Sequence, residues 1–227
     1  MKRIALLLAF GLAAVAHAAE LPASARIVYD VLYGGSELRI GQAQQSWRLE
    51  GGRYSVLTEL EPSFGIGPRV RYESKGRFTS AGLVPETFAE YRNKDSAPRV
   101  RADFDWSAQR VKYGTVADPR TAALEAGAQD VNALPYQLAW LGERSARPMQ
   151  VVTGRGQGRH VFDSGRTVPV TVNGQRMEAQ PWRAIKGTDR TEVWLAPELG
   201  NLPVRIVRVD ENRELQFVAR EVQVNGR

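Results

Sequence analysis

A chain of 227 residues is long enough for a sizeable core, and its formal charge of +6 is mild. It has no cysteine and only two histidines, which excludes a disulfide framework, thiolate or multi-histidine metal sites, a cysteine nucleophile and c-type haem attachment. Ordinary solubility accounts for the basic balance better than a polyanionic partner does, so nucleic acid is not expected.

Lys2 and Arg3, the apolar run from Ile4 to Val15 and the triplet Ala16-His17-Ala18 read as the charged, apolar and cleavage regions of a signal peptide over 1–18. An apolar run of about a dozen residues is short of the roughly 20 that span a bilayer. Abundant alanine in a short leader suggests a bacterial source, which makes the expected compartment the periplasm. Cleavage leaves His160 as the single histidine of a mature chain in which no later segment is apolar enough to cross a membrane. Residues 19–227 read as one β-rich domain, with N-terminal strands over 26–113, a linker and helix over 118–142, and C-terminal strands over 148–224.

Alternation with a period of two runs through most of that length. From Arg99 to Trp106 the odd positions are charged and the even ones apolar, the pattern of a strand with one buried face. A turn at Ser107-Ala108 would set Asp105 opposite Arg110, Phe104 opposite Val111 and Asp103 opposite Lys112. Gly51-Gly52 would set Glu50 opposite Arg53, Leu49 opposite Tyr54 and Trp47 opposite Val56. Asn173-Gly174, the strongest hairpin signal, would pair Val172 with Gln175 and Val170 with Met177. Further strands are predicted at Ile27 to Tyr33, Val70 to Phe78, Val84 to Tyr91, Met149 to Thr153, Thr191 to Leu195, Val204 to Val209 and Leu215 to Val224. Between the two groups Asp118 to Gln129 reads as a linker. Leu134, Leu138 and Leu141 then fall at helical spacing, with Pro135 suited to a first turn, which predicts one short helix near 132–141. The fold class is all-β with minor α: a large curved antiparallel sheet forming an open or nearly closed β-barrel.

Candidate binding residues follow from this frame. Trp47, Tyr54, Tyr72, Phe78, Phe88, Tyr91, Phe104 and Trp106 read as inward aromatics, of which Tyr72, Phe88 and Trp106 are taken as pocket walls. Pro62-Ser63-Phe64-Gly65-Ile66-Gly67-Pro68 places two bulky apolar residues in a connection, so Phe64 and Ile66 are candidate lid residues, with Arg69 and Arg71 behind them for an anionic head. Gly154-Arg155-Gly156-Gln157-Gly158-Arg159 lacks the following Lys-Ser or Lys-Thr and the helix of a phosphate loop, and reads as a hairpin turn, the alternative being backbone amides and Arg155 or Arg159 touching an anionic ligand. His160 has only Asp163 and Ser164 at hand and no nucleophile elbow, so a hydrolytic triad is not supported. Glu86 with Glu90, and Asp103 with Asp105, are the carboxylate pairs a glycan hydrolase would need. No calcium loop is present.

Ser74-Lys75-Gly76, Gly82 to Phe88, Phe104-Asp105-Trp106, Asp130 to Leu138, Val193 to Pro197 and Leu202 to Ile206 occur in an order that resembles the exported bacterial family called domain of unknown function three-one-zero-eight. The chain departs from it at Asp210-Glu211-Asn212-Arg213, where a glycine is expected. The resemblance implies an exported β-rich fold, with no catalytic residues and no cofactor to carry across.

Taken together, these features lead us to expect a non-catalytic periplasmic protein binding an amphipathic or lipid-like envelope ligand in a β-lined cavity, without metal or cofactor. Lipid, lipopolysaccharide or an envelope protein are the expected partners, and the oligomeric state is left open. The alternatives are an envelope scaffold or assembly factor that binds another protein, and a glycan hydrolase with paired carboxylates.

Overall fold

The computed structural model describes residues 21–35, 38–65, 67–210 and 213–226. The segment read as a signal peptide lies outside them, as do Ile66 and the side chain of Phe64. In chain order the elements are β1 (Ser24–Tyr33), β2 (Arg39–Glu50), β3 (Arg53–Pro62), β4 (Val70–Thr79), β5 (Gly82–Arg92), β6 (Val100–Asp105), β7 (Arg110–Thr115), β8 (Pro119–Ala123), β9 (Gln129–Asp130), α1 (Leu134–Leu141), β10 (Met149–Val152), β11 (Gln157–His160), β12 (Asp163–Ser164), β13 (Val168–Val172), β14 (Gln175–Lys186), β15 (Asp189–Ala196), β16 (Leu202–Asp210) and β17 (Arg213–Val224).

Strands β1 to β8 lie side by side in sequence order. Beyond β1 the sheet continues through β17, β16, β15 and β14, along whose far side both β12 and β13 pair. The result is a large antiparallel sheet that curls into an open barrel without closing. The N- and C-terminal strand groups are joined by β1–β17 pairing, with Ala25 opposite Val224 and Tyr33 opposite Leu215.

Three hairpin registers follow the alternation and the turn residues. Asp105 faces Arg110 and Phe104 faces Val111; Glu50 faces Arg53 and Trp47 faces Val56; Val172 faces Gln175 and Val170 faces Met177. The turn after β6 is longer than Ser107-Ala108, and Gln109 takes the positive φ of 51° that closes it. In the segment read as a linker, Pro119–Ala123 forms the edge strand β8, and Gln129–Asp130 forms β9, which pairs parallel with β10. The second sheet, β9 to β11, is therefore mixed rather than antiparallel throughout. Alanine, proline and glycine carry no alternation, which hid both strands from a pattern-based reading.

A bulge in β5 also changes which residues share a face. Lys75 opposes Thr87 but Gly76 opposes Pro85, so Glu86 is the extra residue. Glu86 meets Arg53 at 2.6 Å and Arg77 at 3.1 Å on the convex side, whereas Glu90 is buried on the concave side with Phe88. The two do not form a carboxylate pair. Tyr91, read as inward, lies on the convex face under the Arg71 guanidinium, 4.1 Å from its ring centre.

The concave face wraps α1. Leu134, Tyr136, Leu138 and Ala139 of the helix are buried against Trp47, Tyr54, Leu83 and the β14–β16 side chains. Trp47 lies between Tyr136 and Tyr54, at 4.3 Å and 6.0 Å with near-parallel rings. Stacked pairs of this kind add about 1 kcal/mol each beyond area burial. A second core of Phe88, Ala102, Phe104, Val111, Leu124, Ala128 and Val152 sits between β5–β7 and the small sheet. Among the described residues no helix is long and apolar enough to cross a membrane.

Candidate functional site

The segment from Gln129 to Gln137 is largely buried although it is rich in polar groups; Gln129 Oε1 is left without a partner, and the other side-chain groups are met by the sheet or by the segment's own backbone. Gln129 Nε2 donates to the Leu83 carbonyl at 2.8 Å, and Gln137 Oε1 accepts from the Leu83 amide at 2.7 Å. A side chain at Gly82, whose φ is +99°, would run into Gln137. Asn132 Oδ1 accepts from the Thr58 hydroxyl at 2.8 Å, and its amide donates to the Val56 carbonyl at 3.1 Å. Thr58 in turn accepts from Gln45 at 2.8 Å, and Gln45 Oε1 accepts from the Tyr136 hydroxyl at 2.8 Å. These bonds fix the segment in one register across the concave face.

Asp130 is fully buried. One oxygen accepts from the Ser74 hydroxyl at 2.6 Å, and the other from the backbone amides of Asn132 at 2.8 Å and Ala133 at 2.9 Å. Burial pushes its pKa up to about 6, against the Ser74 hydroxyl, the two amides and Arg208, all of which favour the charged form.

Beside this segment lies a cavity of about 30 Å³, room for one or two waters. Tyr72, Val131, Pro135, Ile206 and Phe217 supply its apolar wall, and Gln45, Asn132 and Arg208 its polar one. Arg208 Nη2 donates to the Val131 carbonyl at 2.7 Å, the one side-chain hydrogen bond it makes among the described residues. Burial lowers the pKa of Arg208, and Tyr72 and Asp130 oppose that shift. The pKa of Tyr72 is raised, first by burial and next by Glu90, with Arg208, Arg155 and Arg92 acting in the other direction. The cavity wall therefore lies in the field of several cations.

Of the residues expected from sequence, Tyr72 lines this cavity and Phe88 stacks behind it at 6.2 Å. Trp106 stacks beside Phe104 at 6.4 Å and donates its indole N–H to the Pro85 carbonyl at 2.6 Å, away from the cavity wall. Arg69 pairs with Glu61 at 3.4 Å, and Arg71 with Glu73 at 3.1 Å on the convex face, so neither points into the cavity. Ser63–Gly65 forms a 3₁₀ turn, while Ile66 and the Phe64 side chain lie outside the described residues. Arg155 and Arg159 do flank a hairpin turn, closed by the Thr153 amide on the Gly156 carbonyl at 2.9 Å, and Arg159 is held by Glu125 at 2.8 Å. Arg208 was missed, yet it sits two residues after Ile206 at the inward phase of β16. A charge at an apolar phase was the signal available.

No group of three histidine, cysteine, aspartate or glutamate side chains among the described residues is placed to hold a metal. His160 is half-buried, and burial together with Lys186 lowers its pKa. Ser164 donates toward Glu143 at 3.4 Å, so no triad forms around it.

The fold is similar to that of a β-barrel-like protein of domain of unknown function DUF1849 from Brucella abortus. That match has a TM-score of 0.56 and 10% identity, over 90% of this chain and 98% of that one. A putative outer membrane lipoprotein-sorting protein domain from Vibrio parahaemolyticus aligns over 89% of this chain and 85% of that one, at a TM-score of 0.28 and 7% identity, too distant to carry an argument. No curated protein matches the sequence. Residues 28–212 match the model of the family described as protein of unknown function (DUF3108), and the chain belongs to that family.

Proposed function

We propose that the mature chain is a non-catalytic periplasmic binder of an amphipathic envelope ligand with an anionic head, received on the concave side of the open barrel. The observation that carries this reading is Arg208, a part-buried guanidinium on the cavity wall with a single carbonyl as its side-chain hydrogen-bonded partner among the described residues. A guanidinium has five donors, and among the described residues Arg208 spends one of them on the protein. An anion entering there meets the remaining donors, while Tyr72, Phe217 and Ile206 offer contact to an apolar portion. The cavity takes only one or two waters, so a larger ligand enters it only at the cost of the hydrogen bonds that hold Asn132.

Native mass spectrometry of the chain purified from its own envelope tests the reading. The expected result is a bound adduct in the wild type that R208Q loses while keeping the wild-type far-UV spectrum. A clean apo mass in the wild type, or an adduct unchanged in R208Q, overturns it and returns weight to a protein-binding scaffold.

A further inference from the structure

Just outside the cavity wall, Glu90 is buried at the end of β5 with three guanidiniums converging on one of its oxygens. Arg92 Nε lies 3.5 Å away, Arg155 Nη2 3.6 Å and Arg99 Nη1 3.8 Å. Each comes from a different setting. Arg92 follows the inward phase of Phe88 and Glu90. Arg99 precedes β6 and is fixed by its amide on the Glu90 carbonyl at 2.7 Å. Arg155 is carried by the β10–β11 turn, and Gly154, at φ +64° and close against Phe88 and Val100, lets that turn approach β5.

This cluster differs from the tightest ion pairs of the molecule, and its looseness is shared by Arg183 and Arg190 on Glu192, at 3.3 Å and 3.4 Å. Arg53–Glu86 closes to 2.6 Å, Arg101–Asp103 to 2.7 Å and Arg159–Glu125 to 2.8 Å. Around Glu90 no pair is short, and among the described residues none of the three guanidiniums donates a side-chain hydrogen bond. Arg92 Nε is buried without a hydrogen-bond partner. The three remain reachable, with side chains 36%, 43% and 60% exposed for Arg92, Arg99 and Arg155. Three guanidiniums against one carboxylate leave an excess of two positive charges, with donors unspent.

We infer that Arg92, Arg99 and Arg155 form a recognition site for a phosphoryl dianion, and that Glu90 holds the cluster together until that group arrives. A phosphate monoester carries close to two negative charges and three acceptor oxygens, matching both the charge excess and the forked donors; a single carboxylate matches neither. Guanidinium suits this task better than ammonium because its planar donors bind oxygens in pairs. The inference deepens the ligand-binding reading by naming the chemistry of the head.

The test is calorimetric titration of the full mature chain with inorganic phosphate and, separately, with a short-chain phosphatidic acid below its micellar concentration. R155Q lies in an exposed turn and should fold normally while weakening phosphate binding about tenfold, the loss expected for one charge-assisted contact. E90Q removes the competing carboxylate and should strengthen phosphate binding; should it lose stability, added phosphate should raise its melting temperature more than that of the wild type. Phosphatidic acid binding more tightly than phosphate supports a lipid head, and equal binding supports free phosphate as the source. No phosphate binding by the wild type, or binding unaffected by both R155Q and E90Q, overturns the inference. An adduct that R208Q abolishes in the mass-spectrometric test, without phosphate binding here, removes the phosphoryl site and leaves the ligand-binding reading standing.

Discussion

Asp130 shows how one side chain joins stability to the site. Its carboxyl titrates near 6 in the folded chain against a reference of 3.8, so between those values the native state holds a proton that the unfolded state has released. The stability this group contributes is therefore fully present below pH 3.8 and is lost as pH rises through 6, a difference of about 3 kcal/mol. Urea denaturation at pH 4 and pH 7 checks this. The wild type should lose more stability between the two than D130N, and equal losses would show that burial does not govern this carboxyl. Tyr72 and Phe88 were legible in the sequence as inward-facing positions, because neither breaks the alternation. The meeting of Arg92, Arg99 and Arg155 at Glu90 was not, although the glycine-rich turn had offered Arg155 as an anion contact. No spacing in a single chain reports that residues so far apart meet around one carboxylate.

Elements were legible wherever the information is local. Alternation fixes which face is buried, and a two-residue turn fixes the register, so three hairpins could be paired residue by residue. The β5 bulge breaks that logic, because one extra residue reverses the phase and no local residue type announces it. Gly76 is where the bulge is most tightly built. A methyl group there would run into the Val84 carbonyl oxygen and come within 2.9 Å of both Pro85 Cα and Tyr54 Cε1. G76A should cost about 3 kcal/mol or more, because backbone rather than a flexible side chain blocks the space. In a chain of this size that lowers the melting temperature by roughly 6–12 °C, readable by thermal circular dichroism. At Gly174 the added Cβ meets nothing, so G174A should cost only about 1 kcal/mol, from its positive φ alone. Equal losses would show that the close approach at Gly76 is not what demands glycine.

At the scale of the whole molecule, the pairing of β1 with β17 was the least legible feature, since it joins segments at opposite ends of the chain. It is also the one on which the continuity of the sheet depends. β17 bonds to β1 on one side and β16 on the other, buries Ala219 and Val222, and sets Phe217 edge-on to Tyr29 at 6.1 Å. A chain ending at Asp210 would leave β1 and β16 each with one unpaired edge. It should lose its cooperative urea transition and bind a hydrophobic dye; a sharp transition retained by that truncation would show that the two halves stand independently.

The Ser24 amide donates to the Asn225 side chain at 3.0 Å, and the Asn225 amide returns to the Ser24 carbonyl at 2.9 Å. Tension drawn between those two points would run across the β1–β17 seam rather than along it, loading the rungs of the ladder one at a time instead of all together. The barrel is therefore mechanically soft to a pull at its ends, opening like a zip from that corner.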